Sequence, residues 1–180
     1  MNTFLTLDSL YSGVPCNPTT FLKGMQAYVA QTTFASGCKD VSCNSTDLFS
    51  EAIEAAKAAD IVVVVAGLNL TEEREDFDRV SLLLPGKQMN LIHTVASVTK
   101  KPLVLVLLGG GPVDVSFAKH DPRIASILWL GYPGEVGGQV LPEILFGKYN
   151  PGEYNLNFLK ENRTCMYCKF AMKKLWWLLD

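Results

Sequence analysis

Three short apolar runs, at 61–66 (IVVVVA), 103–108 (LVLVLL) and 124–130 (IASILWL), limit what this chain can fold into. The first two are apolar on both faces, which suits strands in the middle of a parallel sheet and not strands with one wet face. The segments beside them carry a helical period. Leu48, Ala52, Ile53, Ala55, Ala56 and Ala59 give 47–59 a small-residue face, with Asn44, Ser45 or Thr46 as cap. Met89, Leu91, Ile92, Val95 and Val98 do the same for 86–100. Residues 113–117 read as a short helix or turn stopped before Asp121–Pro122, and 139–146 as a helix stopped by Gly147. Strand and helix in alternation predict an α/β fold, a three-layer α/β/α sandwich with a largely parallel sheet over residues 45–150. Right-handed crossovers then bring the three strand-end loops to one rim of that sheet.

Residues 1–44 form a loop-rich lead-in, with turns at Gly13, Pro15, Asn17 and Pro18. Within it, 21–29 (FLKGMQAYV) reads as a short helix or an edge segment. Residues 151–180 form a divergent tail without clear period or cap, although 170–179 could make a short amphipathic helix. Cys165 and Cys168 have the spacing of half a zinc site, but no second pair follows, so no metal site is expected.

The net charge of −2 gives no electrostatic argument for nucleic acid or an anionic membrane. No apolar run reaches the roughly 18 residues that span a bilayer. The opening residues lack the basic start and apolar core of a signal peptide. Cys38 and Cys43 could close a small disulfide loop, and Asn44, Asn69 and Asn162 each begin a glycosylation acceptor triplet. Together these lean toward a protein whose relatives are secreted.

Familiar catalytic signatures are missing. Gly109-Gly110-Gly111-Pro112 is not G-x-G-x-x-G, and Pro112 removes an N–H that a phosphate cradle would use. Neither the phosphate loop ending in Gly-Lys-Ser/Thr nor the G-x-S-x-G elbow occurs, and no cofactor is expected. What stands out is the long loop from Gly67 to Pro85, after the first strand. It holds Glu72, Glu73, Glu75, Asp76 and Asp78, with Arg74 and Arg79 among them. It is either a solvated acidic loop or a catalytic one, since ligands bind beyond the carboxyl ends of strands in such sheets.

Glycoside cleavage needs two carboxyl groups, one of which keeps its proton near neutral pH. Glu73 and Glu75 alternate around Arg74, so an extended backbone would point both the same way. Trp129 and Tyr132, at the end of the third run, could supply a sugar-stacking surface, with Trp129 also readable as a core residue.

The stretches GLNLTEEREDFDR, LLLPGKQMNLI, KKPLVLVLLGGGPVDVSFAKHDPRIASILWLGYPGEVGG and EILFGKYNPG resemble, in order, the C-terminal α/β sandwich domain of glycoside hydrolase family 3. The likeness runs from about residue 11 to 152 and is greatest to the plant β-D-xylosidases and α-L-arabinofuranosidases. It implies a retaining hydrolase acting on xylosyl or arabinosyl ends of xylo- or arabino-oligosaccharides, at the cell wall or outside the cell. It also implies an N-terminal (β/α)8 barrel as partner, supplying an aspartate nucleophile, while the sandwich supplies the acid/base glutamate.

The resemblance puts that role on Glu73, the first Glu of E-x-E-x-x-D-R, with Glu75 next and Glu72 third. Asp78 and Arg79 become loop-ordering partners. Within 180 residues there is no room for the barrel as well, and the likeness stops after Gly152. The expectation is therefore a fragment of the enzyme, inactive alone. The alternative is a non-catalytic carbohydrate-binding or interaction module that uses the same rim.

Overall fold

The computed structural model describes residues 15–150. The first fourteen residues and the tail, with Asn162, Cys165, Cys168 and the expected amphipathic helix, lie outside the described residues. The chain runs α1 (Phe21–Gln26), α2 (Phe49–Ala58), β1 (Val63–Gly67), α3 (Gln88–Ala96), β2 (Leu103–Leu108), α4 (Ser116–Lys119), β3 (Ile124–Gly131), one 3-10 turn (Gly134–Val136) and α5 (Gly137–Leu145). All three strands are parallel, in the order β1-β2-β3. The α/β sandwich read from the sequence is the fold observed.

The central strand explains the layering. Every residue of β2 is buried, and successive side chains of a strand face opposite ways. Leu103, Leu105 and Leu107 meet Ala56 of α2, Ile92 and Val95 of α3 and Ala118 of α4 in one core. Val104 and Val106 meet Leu128 of β3 and Leu141, Ile144 and Leu145 of α5 in a second. Burying one such side chain stabilises the fold by about 1.5–3 kcal/mol before entropy is counted. An apolar residue at every position of β2 therefore commits it to a place between two helical layers.

Much of the lead-in belongs to this architecture. The segment read as helix or edge is a helix, started where the Thr20 hydroxyl accepts from Lys23 N at 3.2 Å. Phe21 and Met25 of α1 pack on the second core. A Cβ on Gly24 would fall 1.6 Å from the carbonyl oxygen of Gly138, so α1 lies on α5 with no room for a side chain between them. Cys38 and Cys43 form the expected disulfide, and Cys16 is an exposed free thiol. The helix expected over 47–59 begins later. Phe49 N donates to Thr46 O in a preceding turn, and none of Asn44, Ser45 or Thr46 is its cap. Among the described residues, no helix is long and apolar enough to cross a membrane.

Candidate active site

The carboxyl ends of the three strands meet at Glu73. The β1–α3 loop leaves the strand at Leu68 and turns at once: Glu72 N and Glu73 N both donate to Asn69 O, while Asn69 Oδ1 accepts from Thr71 N and Thr71 Oγ1. This local closure aims the Glu73 side chain across the ends of the other two strands. Its Oε1 accepts from Tyr132 Oη at 2.6 Å, after β3, and from Gly110 N at 2.6 Å and Gly111 N at 3.2 Å, after β2. Its Oε2 accepts from Arg79 Nε at 3.2 Å. The rim expected from crossover handedness is thus tied together by one carboxylate.

The glycine run has a clear physical role here. Consecutive N–H groups in a turn form an anion-binding concavity, and in this turn the anion is an internal carboxylate. A Cβ on Gly111 would fall 2.9 Å from Glu73 Oε2, so a side chain there would push the carboxylate out. Arg79 completes the clamp by donating from Nη1 to Ser81 O at 3.0 Å and from Nη2 to Pro112 O at 2.6 Å. Its guanidinium joins the loop to the β2 turn at Pro112 and braces the loop itself at Ser81.

Burial pushes the Glu73 carboxyl up, but the Tyr132 hydroxyl, the Gly110 and Gly111 amides and Arg79 together outweigh it and hold the group below its ordinary value. Tyr132 is displaced the opposite way, well above the usual phenol range, by burial and by the negative charge it faces. Donor and acceptor are therefore both fixed in their usual protonation states.

Beyond Glu73 the backbone is not extended. Arg74 N donates to Phe77 O at 3.2 Å and Phe77 N to Arg74 O at 3.0 Å, which closes a two-residue hairpin with Glu75 and Asp76 at its tip. Asp76 sits at φ +62°, a left-handed conformation that Asp tolerates better than most residues. The Arg74 guanidinium lies 4.8 Å from the Phe77 ring centroid and donates to Leu70 O, bracing the hairpin. Glu73 and Glu75 do not share one side of a strand as expected. Glu73 turns inward to the strand ends, and Glu75 is exposed at the hairpin tip.

The remaining sequence candidates separate. Glu72 accepts from the Ser42 hydroxyl in the disulfide loop, which fastens the start of the acidic loop to the lead-in. Arg79 orders the loop, whereas Asp78 is exposed and has no hydrogen bond or ion pair among the described residues. Tyr132 faces Glu73. Trp129 packs half-buried against the first core, and its enclosed indole N–H has no partner among the described residues. Among the described residues no group of His, Cys, Asp and Glu is arranged to hold a metal.

Sequence reasoning missed Gln88. This buried side chain accepts from Gly67 N at 2.8 Å, and its Nε2 donates to Gly67 O at 2.8 Å and Val41 O at 2.6 Å. It satisfies the last residue of β1 where the acidic loop departs. The available signal was a lone amide at the start of an otherwise apolar helical face.

The family description Glycosyl hydrolase family 3 C-terminal domain matches residues 6–170. The chain is 58% identical over 151 residues to Probable beta-D-xylosidase 6 of Arabidopsis thaliana, covering 84% of this chain and 19% of that one. It is 48% identical over 141 residues to Beta-xylosidase/alpha-L-arabinofuranosidase 1 of Medicago sativa subsp. varia, covering 78% and 18%. Among solved structures, a GH3 exo-beta-xylosidase (XlnD) in complex with a xylobiose aziridine activity-based probe superposes with a TM-score of 0.76 at 35% identity, covering 82% of this chain and 19% of that one. The chain thus spans about a fifth of the length of these relatives, and the residues that match the family description, 6–170, include the whole rim described above. This chain belongs to glycoside hydrolase family 3, and residues 6–170 match the family's C-terminal domain.

Proposed function

We propose that this sandwich is part of a retaining glycosidase that removes xylosyl or arabinosyl units from oligosaccharide ends, with the β1–α3 loop supplying the acid/base carboxyl. The observation that carries the reading is the convergence of the strand ends on Glu73, where donors from the turns after β2 and β3 hold one acidic loop in a single shape. A loop of about twenty residues fixed in this way is characteristic of function and not of mere connection.

Within the loop, the proton-transfer role fits Glu75 better than Glu73. A general acid must carry a proton near the working pH. Both Glu73 oxygens already accept from N–H or O–H donors, so protonating it would displace one of them. Glu73 is then the positioning carboxylate. Glu75 stands at the hairpin tip two residues on, exposed to a sugar bound beyond the strand ends. The nucleophilic carboxylate, which must lie about 5–5.5 Å from the acid in a retaining enzyme, is assigned to that barrel. The 180 residues alone are expected to show no turnover. The Cys38–Cys43 disulfide supports a working place outside the cell.

The test is a segment exchange. Residues 15–150 replace the matching segment of the Arabidopsis relative, and hydrolysis of aryl xylosides and arabinofuranosides with poor leaving groups is measured. Activity is expected to survive the exchange and to fall by about 10²–10⁴-fold on Glu75→Gln. A folded exchange protein without activity, or a fully active Glu75→Gln variant, would sink the proposal.

A further inference from the structure

Three consecutive residues of the disulfide loop reach both ends of the acidic loop. Val41 O accepts from Gln88 Nε2 at 2.6 Å and Cys43 O from Lys87 N at 3.0 Å, where the acidic loop enters α3. The Ser42 hydroxyl lies between them in sequence and donates to Glu72 Oε1, near the other end of the loop and one residue before Glu73. A Cβ on Gly86 would fall 1.9 Å from Ser42 O, so the end of the acidic loop lies directly against this turn.

The turn itself is closed on several sides. Cys43 is buried and adopts φ +46°, a left-handed conformation that is uncommon outside glycine, Asn and Asp. Such a conformation persists where its surroundings over-determine it, and it is a pointer to function. Here Cys43 N donates to Asp40 O at 3.3 Å and to Asp40 Oδ1 at 3.0 Å, and the bond to Cys38 closes the ring. Val41 is buried as well. Ser42 is thus carried on a support closed by covalent and hydrogen bonds.

We propose that Ser42 is a positioning residue for the glycosidase reaction. Held by the Cys38–Cys43 ring, it sets the base of the acidic loop through Glu72, and so the placement of Glu73 and of the hairpin that carries Glu75. The inference rests on the acid/base role given to this loop above. Glu72 N donates to Asn69 O, so the residue that Ser42 holds is part of the closure that aims Glu73. A shift there passes directly to Glu73, the next residue, and through the Arg74–Phe77 hairpin to Glu75. Misplacing a reacting group by about 1 Å can cost about 10²-fold in rate, so a contact with neither sugar nor proton can govern turnover. The Val41 and Cys43 carbonyls already tie the turn to the start of α3. The Ser42 hydroxyl is spent on the acidic side alone, in a charge-assisted hydrogen bond.

Two measurements test this. In the 180-residue chain, hydrogen exchange at the Glu73 amide is expected to be about fivefold faster in Ser42→Ala, relative to Leu105 of the central strand. It should stay at the parent rate in Ser42→Thr, which keeps the hydroxyl. In the segment-exchange protein, Ser42→Ala should lower kcat about tenfold on good and poor leaving groups alike, with KM nearly unchanged, and Ser42→Thr should restore it. A residue that only supports the fold would change the urea midpoint and leave kcat per folded molecule at the parent value. Equal Glu73 hydrogen exchange in Ser42→Ala and the parent would overturn the proposal, and so would full turnover in Ser42→Ala. A segment-exchange protein that is inactive before any change at Ser42 would fail the glycosidase reading, and the hold of Ser42 on the loop is then decided by the Glu73 amide.

Discussion

The Tyr132 hydroxyl donates to Glu73 Oε1 at 2.6 Å, joining the turn after β3 to the loop after β1 across 59 positions of sequence. Hydrogen bonds to charged groups contribute about 1.5–3 kcal/mol when buried, and this site is only part-buried. Tyr132→Phe should therefore cost about 1 kcal/mol in urea unfolding. It should also let the Glu73 pKa rise, which carbon-detected NMR titration of the carboxyl reads directly. An unchanged Glu73 titration would mean that the phenol does not hold the carboxylate.

The same clamp sets a pH dependence. Glu73 has a folded pKa below its unfolded value, so its contribution is complete above the unfolded pKa, near 4.5, and is lost as pH falls through the folded value. Stability of the wild type should fall below about pH 4.5 with a share that Glu73→Gln lacks. The comparison is made between the two urea midpoints across pH 3–7. Parallel curves would remove Glu73 from the account of acid sensitivity.

Gln88 is buried and carries three hydrogen bonds. Gln88→Leu keeps the volume and strands the Gly67 N–H, the Gly67 carbonyl and the Val41 carbonyl. A loss of about 3 kcal/mol is expected, near the upper end for a single substitution. Gln88→Glu should do no better at neutral pH, because a carboxylate still accepts from Gly67 N but sets a buried charge against the Gly67 and Val41 carbonyl oxygens. A leucine variant as stable as wild type would mean that those groups find other partners.

The sheet and its layers were legible because the three apolar runs have one reading each: an unbroken apolar strand in the middle of a chain needs cover on both faces. The rim was legible for the same reason, since handedness alone brings the strand ends together. The shape of the acidic loop was not. Local closures at Asn69 and between Arg74 and Phe77 depend on turn chemistry that an acidic composition hides. The Gly109–Pro112 run was judged against a phosphate, whereas two of its amides face a carboxylate 37 and 38 positions away. Tyr132 draws notice in the sequence for its aromatic face, while its hydroxyl is the part that bonds to Glu73.

The central claim is a division of labour between two glutamates two residues apart, and leaving-group dependence separates them. The exchange protein described above is compared as Glu73→Gln and Glu75→Gln on aryl xylosides whose phenols range from good to poor leaving groups. Loss of a general acid is felt where the leaving group needs a proton, and loss of a positioning group is felt on every substrate alike. The account predicts that Glu75→Gln cleaves the most activated substrate nearly normally and the least activated about 10²–10⁴-fold more slowly. Glu73→Gln should depress both by a similar factor. The reverse pattern, with selective loss on Glu73→Gln, would contradict it and return the proton to Glu73.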